Sequence, residues 1–363
     1  MQADDVRLTG VDMAELEQKA RAALDPAVYD YFAGGADDEV TLAENVAAWQ
    51  RLRLRPHVLN DVGEVDPRAT VLGQSLTAPI IVAPAAYQRL AHPDGEMATA
   101  RGAGAVGTVM CVSTMATTTL EEVAAAATGD LWFQLYIRRD RRYTEELVAR
   151  AETAGYRALV LTVDVPVLGR RLRDERNHFT LPPGLTMANF GTAPPTVEGS
   201  GIAAFADSEF DPSLTPDDLA WLCGLTRLPV LVKGVMRGDD AVRAVDAGAA
   251  GVIVSNHGGR QLDTCIAPAE AVREVAAAVG DRAEVLVDGG VRRGTDVVKA
   301  LALGASAVLV ARPVLWGLAA AGAQGVTAVL NELIEEFTRA LMLCGCRTPD
   351  DITPDLIANP PPV

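Results

Sequence analysis

Lysine is nearly missing from this chain: three stand against twenty-nine arginines, and acidic residues exceed both together by enough to give a net charge of −16. With an isoelectric point near 4.7, that balance opposes nucleic-acid phosphates and anionic lipid surfaces alike. An acidic small ligand must therefore meet a local cluster of arginines. Histidine is scarce too. His57, His92, His178 and His257 show no HExxH spacing, so no metal centre is expected. The five cysteines form no CxxC pair and are too few to staple 363 residues, which excludes a disulfide framework and suits a reducing compartment. No opening segment reads as a cleavable signal, and no apolar stretch reads as long enough to cross a bilayer. The expected location is cytoplasmic, with no membrane or nucleic-acid partner.

What the chain has is a repeating unit. Short β-rich runs at 79–84, 107–111, 131–136, 158–164, 229–233, 251–256, 284–288 and 307–312 are separated by helix-length, Ala-rich segments at 94–103, 120–127, 143–154, 239–247, 269–279 and 295–303. Crossovers of that length make parallel neighbours, and eight strands predict a closed (β/α)8 TIM barrel. The organisation read from this is one domain over 1–363. Residues 1–75 form an N-terminal helical extension, with helices at 12–24 and 25–32, that covers an end of the barrel. The barrel spans 76–345, and 346–363 is a tail. The connection over 165–213 carries little periodicity and reads as a lid loop, expected to be mobile around 190–210.

The runs end in polar groups: Gln134 and Tyr136, Thr162 and Asp164, Lys233, Ser255 and His257, Asp288, Arg312. Barrel enzymes place their chemistry at that end of the strands. Ser255-Asn-His257-Gly-Gly-Arg260-Gln-Leu-Asp263 sets an acid/base group and a fixed cation three residues apart, which suits a small hydroxy acid. Gly102-Ala-Gly-Ala-Val-Gly107 imitates a dinucleotide fingerprint but follows a helix and enters a strand, the reverse of the order that function needs. A better phosphate site is Asp288-Gly289-Gly290-Val-Arg292, joined by Arg312 after the eighth run. Lys233 is either a Schiff-base nucleophile or a fixed charge beside an electron-accepting cofactor, and Asp164 is placed to support His257.

Assembled, these residues resemble the FMN-dependent 2-hydroxy-acid oxidase and dehydrogenase family. The likeness runs nearly end to end and rests on Val28-Tyr-Asp-Tyr31, Pro84-Ala-Ala-Tyr-Gln88, His92-Pro-Asp-Gly-Glu96, Gln134-Leu-Tyr136, Leu161-Thr-Val-Asp164, Gly169-Arg-Arg171, Leu231-Val-Lys233-Gly, the His257 nonapeptide and Asp288-Gly-Gly-Val-Arg-Arg-Gly-Thr-Asp296. The resemblance implies FMN cradled by Pro84, Ala85, Ala86, Ser113, Gln134, Thr162, Lys233 and Ser255, with its phosphate at Asp288, Gly289, Gly290, Arg292 and Arg312. It implies a substrate carboxylate held by Tyr31, Arg171 and Arg260, a hydroxyl touched by Tyr136, and His257 as the base with Asp164 behind it. Lys233 then stabilises negative charge on reduced flavin. A homo-oligomer, tetrameric by the same resemblance, is also implied. Ala311 stands where many relatives carry Gly.

Two departures bear on substrate. Met115 stands where glycolate oxidases have Trp, and Tyr87 where they have Met. Loss of the indole opens room for an aromatic ring. The strings around Tyr87 and Arg171 look most like hydroxymandelate oxidases of actinobacterial peptide-antibiotic pathways. The expectation is oxidation of an (S)-2-hydroxy acid, mandelate or 4-hydroxymandelate, with O2 reduced to H2O2. The alternatives are a family dehydrogenase with a quinone or protein acceptor, an oxidase for lactate or glycolate, a Schiff-base lyase built on Lys233, and a catalytically silent binding barrel.

Overall fold

The computed structural model describes residues 10–192, 194 and 200–361. Three helices open it: α1 (Met13–Ala23), α2 (Pro26–Ala33) and α3 (Val40–Arg51). Asp12 and Asp25 accept from the first free N–H groups of α1 and α2, so each starts where its cap stands. A short antiparallel hairpin follows, β1 (Ala69–Val71) and β2 (Gln74–Leu76). Then come the eight barrel strands: β3 (Ile80–Val82), β4 (Met110–Ser113), β5 (Leu131–Leu135), β6 (Ala158–Thr162), β7 (Val230–Val235), β8 (Gly251–Val254), β9 (Glu284–Val287) and β10 (Ala307–Val310). They close parallel in the order β10-β3-β4-β5-β6-β7-β8-β9. The (β/α)8 expectation holds. The second run is displaced from 107–111 to Met110–Ser113, because Gly107 still belongs to the turn that leaves the preceding helix.

The helices of the outer layer are α4 (Gly95–Ala105), α5 (Leu120–Ala126), α6 (Arg141–Thr153), α7 (Leu172–Arg176), α8 (Gly201–Glu209), α9 (Pro216–Leu225), α10 (Gly238–Asp246), α11 (Pro268–Val279), α12 (Gly294–Ala302) and α13 (Arg312–Cys344). Two corrections arise here. The 165–213 connection is not structureless, since it carries α7 and α8; of the stretch expected to be mobile, residues 193 and 195–199 lie outside the described residues. The sequence reading saw no bilayer-length apolar stretch, whereas α13 has the length and composition of one, with 61% of its apolar window buried. Ala321 and Gly322 leave helical geometry and break α13 into two pieces. Finally, the C-terminal segment is tied down, pairing Ile357 with Leu54.

The barrel interior is a separate apolar cluster that includes Ile81, Cys111, Trp132, Val160, Leu231, Ile253, Leu286 and Leu309, one inward residue per strand. The hairpin closes its N-terminal end, where Trp132 Nε1 donates to Gln74 Oε1 at 3.1 Å. At the other end α3 grips the loops after β8 and β9: Asn45 and Asn256 pair through their amides, and Trp49 Nε1 donates to the Gly289 carbonyl at 2.8 Å. Close approach requires glycine. A Cβ on Gly259 would lie 2.7 Å from the Leu42 backbone, and one on Gly290 would lie 1.8 Å from the Asn45 carbonyl.

Glu39, at the N-terminus of α3, makes no side-chain capping bond. Asp263, the last residue of the nonapeptide, does so from outside, accepting from Thr41 N at 2.8 Å and Val40 N at 3.3 Å. Asp263→Ala should lower stability by about 1 to 2 kcal/mol, the usual worth of a lost N-cap. Urea denaturation checks it, and an unchanged midpoint would show that α3 is anchored by its other contacts alone.

Candidate active site

Strand alternation puts the polar groups where they are. Two residues beyond each inward core position, in the same phase, stand Ala83, Ser113, Gln134, Thr162, Lys233, Ser255, Asp288 and Ala311. They form the last inward layer before solvent. Seven of them line a cavity at the barrel mouth, together with Tyr31, Pro84, Ala85, Ala86, Met115, Tyr136, Arg171, His257, Arg260, Gly289, Gly290, Arg292 and Arg312. The sequence-predicted residues are thus brought together. Two of them stand behind the wall. Asp164 holds His257 from outside the cavity. Ser255, expected as a cofactor contact, is fully buried, and its Oγ accepts from Lys233 Nζ at 2.8 Å and from His257 N at 3.1 Å.

His257 sits just past β8 with a left-handed backbone, φ 58°. Its Nδ1 lies 2.9 Å from Asp164 Oδ1, which fixes the ring and puts the proton on that nitrogen. The remaining nitrogen, Nε2, makes no hydrogen bond among the described residues and belongs to the cavity face. Burial lowers the His257 pKa below its ordinary 6.5, against the pull of Asp164, and Lys233 and Arg171 add to the lowering. The ring is neutral at pH 7 and free to take a proton. Burial resists ionisation of Asp164, yet the His257 ring and Lys233 together hold its carboxyl below the ordinary value.

Lys233 Nζ lies 3.0 Å from Asp288 Oδ2, in a pair that is almost wholly buried. Burial disfavours the ammonium, but Asp288 and Asp164 outweigh it and raise the pKa. A lysine kept protonated is a poor nucleophile, which counts against the Schiff-base alternative. Asp288 Oδ1 is buried with no partner.

Four arginines decide what the cavity accepts. Arg171, Arg260, Arg292 and Arg312 face it, and none has a carboxylate within salt-bridge distance among the described residues, although arginines elsewhere form such pairs freely. Burial and the adjacent Arg171 lower Arg260 to about 10, and burial with Arg260 and Arg292 lowers Arg312 to about 9. Arg260 Nη1 is tied to the carbonyls of Tyr31 and Gly34 at 2.7 and 2.8 Å, and Arg312 to those of Phe32, Gly34 and Gly258. Arg171 Nε is buried without a partner. Carbonyl dipoles orient these cations without neutralising them, so anions must complete the site. Arg292 follows β9 and Arg312 follows β10, Arg312 shares the Gly34 carbonyl with Arg260 at the end of α2, and Arg171 stands at the start of α7.

Sequence reasoning missed the far wall. Ile202 and Ala206 of α8 and Phe210 just beyond it line the cavity, and Phe210 stacks on Tyr136 with ring centroids 4.3 Å apart. The i, i+4, i+8 spacing of those three was the available signal. It also missed the lock between α2 and α7, in which Arg173 Nη1 meets Asp30 at 3.3 Å and Nη2 meets Glu39 at 2.5 Å. That lock sets Tyr31 beside Arg171.

Residues 20–359 match the FMN-dependent dehydrogenase family, and the chain belongs to it. It is 50% identical over 351 residues to the L-lactate oxidase of Nostoc sp., covering 94% of this chain and 96% of that one. It is 49% identical over 346 residues to glycolate oxidase 1 of Oryza sativa subsp. indica, covering 94% of each. The structure is similar to a mandelate oxidase solved with (S)-4-hydroxymandelic acid, with a TM-score of 0.91 and 45% identity over 97% of this chain and 100% of that one. The chain is thus an enzyme of the FMN-dependent 2-hydroxy-acid oxidase kind, with FMN as cofactor. Its residues fit that group. Arg292 and Arg312, which line the cavity with Gly289 and Gly290 and have no carboxylate within salt-bridge distance among the described residues, suit a phosphate, and the protonated Lys233 at the mouth suits a cofactor that gains negative charge on reduction.

Arg292→Met should weaken FMN binding roughly tenfold to hundredfold, the loss expected for a charge-assisted hydrogen bond. Flavin fluorescence titration of the apoprotein measures it. Wild-type affinity in the variant would move the phosphate away from Arg292.

Proposed function

We propose that this enzyme oxidises an aromatic (S)-2-hydroxy acid, mandelate or 4-hydroxymandelate, to the corresponding 2-keto acid, with O2 reduced to H2O2. The observation that carries the reading is a neutral, Asp164-pinned His257 whose free Nε2 shares one cavity with two unpaired arginines and an apolar wall. Arg171 and Arg260, with the buried Tyr31 hydroxyl, hold the substrate carboxylate. Tyr136 meets the hydroxyl group; burial raises its pKa, so it remains a hydrogen-bond donor. His257 Nε2 takes a proton from the substrate, and Asp164 stabilises the imidazolium that results. Bound FMN supplies the two-electron acceptor and then the reductant for O2. Lys233, held protonated by Asp288, keeps a fixed positive charge at the mouth.

The lactate and glycolate oxidases show slightly higher identity, which favours a short-chain substrate as the second reading. The wall favours the first. Met115 is buried on the cavity and Phe210, Ile202 and Ala206 give it an apolar surface that a methyl group or hydrogen atom leaves unfilled.

His257→Ala should retain FMN and lower the rate of flavin reduction roughly 10²-fold to 10⁴-fold, the usual share of a general base. Anaerobic stopped-flow reduction checks it, and a near wild-type rate in the variant removes His257 from the chemistry. Because the base works only when neutral and its pKa is lowered, kcat/KM in the wild-type enzyme should hold as pH falls to 6.5 and decline only below it. An acid limb centred above 6.5 contradicts the assignment.

Met115→Trp should fill the space that takes the ring. Overpacking costs roughly 1 to 3 kcal/mol, so the mandelate-to-lactate ratio of kcat/KM should drop by about one to two decades. If steady-state assays find that ratio unmoved, or find that the wild-type enzyme prefers glycolate, the aromatic reading is wrong while the flavin chemistry stands.

A further inference from the structure

Tyr87 carries a polar group that none of the described residues pairs with. Its side chain is fully buried on the mouth cavity, and its hydroxyl has no hydrogen-bond partner among the described residues. A buried hydroxyl left unpaired is costly and rare, and asks for a partner that arrives from elsewhere. Its backbone is strained as well, with φ 57° at a bulky aromatic residue.

That conformation is held from several sides. Tyr87 N donates to the Met115 carbonyl at 3.2 Å, which joins the two positions of one wall. The buried Glu96 carboxylate accepts from Gln88 N, Thr117 N, Thr117 Oγ1 and Thr118 Oγ1, at 2.8 to 3.0 Å, and so ties the loop after β3 to the loop after β4. Thr99 Oγ1 fixes Gln88 at 2.6 Å. The Tyr87 ring packs 5.6 Å from that of Tyr31, centroid to centroid. A frame this complete leaves the hydroxyl little freedom to swing toward a partner in the protein.

The barrel order says what faces it. His257 follows β8, and four places around the ring stands β4, with β3 beside it. The Tyr87 and Met115 wall therefore lies across the mouth from the base. On an aromatic 2-hydroxy acid, the carboxylate already has Arg171 and Arg260, and the α-hydroxyl has His257 and Tyr136. The polar atom without a receiver is one on the ring.

We infer that Tyr87 is a specificity residue whose hydroxyl hydrogen-bonds a ring hydroxyl of the substrate, making 4-hydroxymandelate rather than mandelate the acid this cavity is shaped for. The inference rests on the aromatic reading given above. Burial raises the phenol well above its ordinary pKa, so it stays protonated and can donate or accept. A site that hydrogen-bonds a substrate hydroxyl discriminates against the analogue lacking it, because its own group is then left unpaired.

The test compares the wild-type holoenzyme with Tyr87→Phe on the two acids. Wild type should favour 4-hydroxymandelate over mandelate in kcat/KM. Tyr87→Phe should lower kcat/KM for 4-hydroxymandelate by about tenfold to hundredfold, mainly through KM, and leave mandelate within about twofold. The dissociation constants of 4-hydroxyphenylacetate and phenylacetate, read from flavin difference spectra, should converge in the variant. Thermal stability of the free variant should be equal or higher, since an unpaired buried group is gone. An equal fall for both acids places the hydroxyl at the carboxylate end and overturns the ring subsite, as does no fall for either. If the wild-type enzyme turns over neither acid, the aromatic reading falls and the subsite with it.

Discussion

Positive charge that the protein does not neutralise is the constraint around which this structure is arranged. In a chain of net charge −16 there is no shortage of carboxylates, yet among the described residues none comes within salt-bridge distance of Arg171, Arg260, Arg292 or Arg312. Burial and mutual repulsion make that arrangement unfavourable in isolation, and the depressed pKa values of Arg260 and Arg312 record it. It holds because carbonyls of α2, the Gly34 segment and the nonapeptide loop grip the guanidinium groups, while α3 and Asp263 brace those loops in turn. A phosphate and a substrate carboxylate complete the balance.

The proton chemistry depends on the opposite arrangement. Asp164 and Asp288 are placed behind the two groups that matter: Asp164 fixes the ring and tautomer of His257, and Asp288 beside Lys233 holds its ammonium. Burial keeps the imidazole neutral and ready to accept, whereas a nearby anion keeps the lysine charged. Two basic side chains from neighbouring strands thus do opposite work because their surroundings differ as well as their intrinsic chemistry.

Much of this was legible because a parallel barrel is periodic. Strands buried on both faces read as apolar runs, and counting by twos from Trp132, Leu231 or Leu286 lands on Gln134, Lys233 and Asp288. The chain order of strand and helix excluded the Gly102–Gly107 imitation for the same reason. Parity gives direction but not hydrogen bonding: it puts Ser255 in the inward layer but does not show that its Oγ accepts from Lys233 and His257. The helices α3, α9 and α13 were not separated out. Their hydrophobicity is spread around the axis or interrupted, as at Ala321 and Gly322, and no single apolar stripe announces them. The wall built by Ile202, Ala206 and Phe210 was hidden inside a stretch whose glycines and prolines read as loop. Tyr87 was noticed as a departure, but an unpaired hydroxyl is a property of packing and has no trace in sequence.

The scarcity of lysine has a practical side. Lys233 is sealed against Asp288 and Ser255, and Lys299 is buried with its Nζ on the Trp49 carbonyl at 2.8 Å. Only Lys19, on α1, is exposed. Among side-chain amines the surface therefore offers one handle, on α1, so lysine-directed reagents would modify the folded protein there and leave the amine at the barrel mouth chemically untouched.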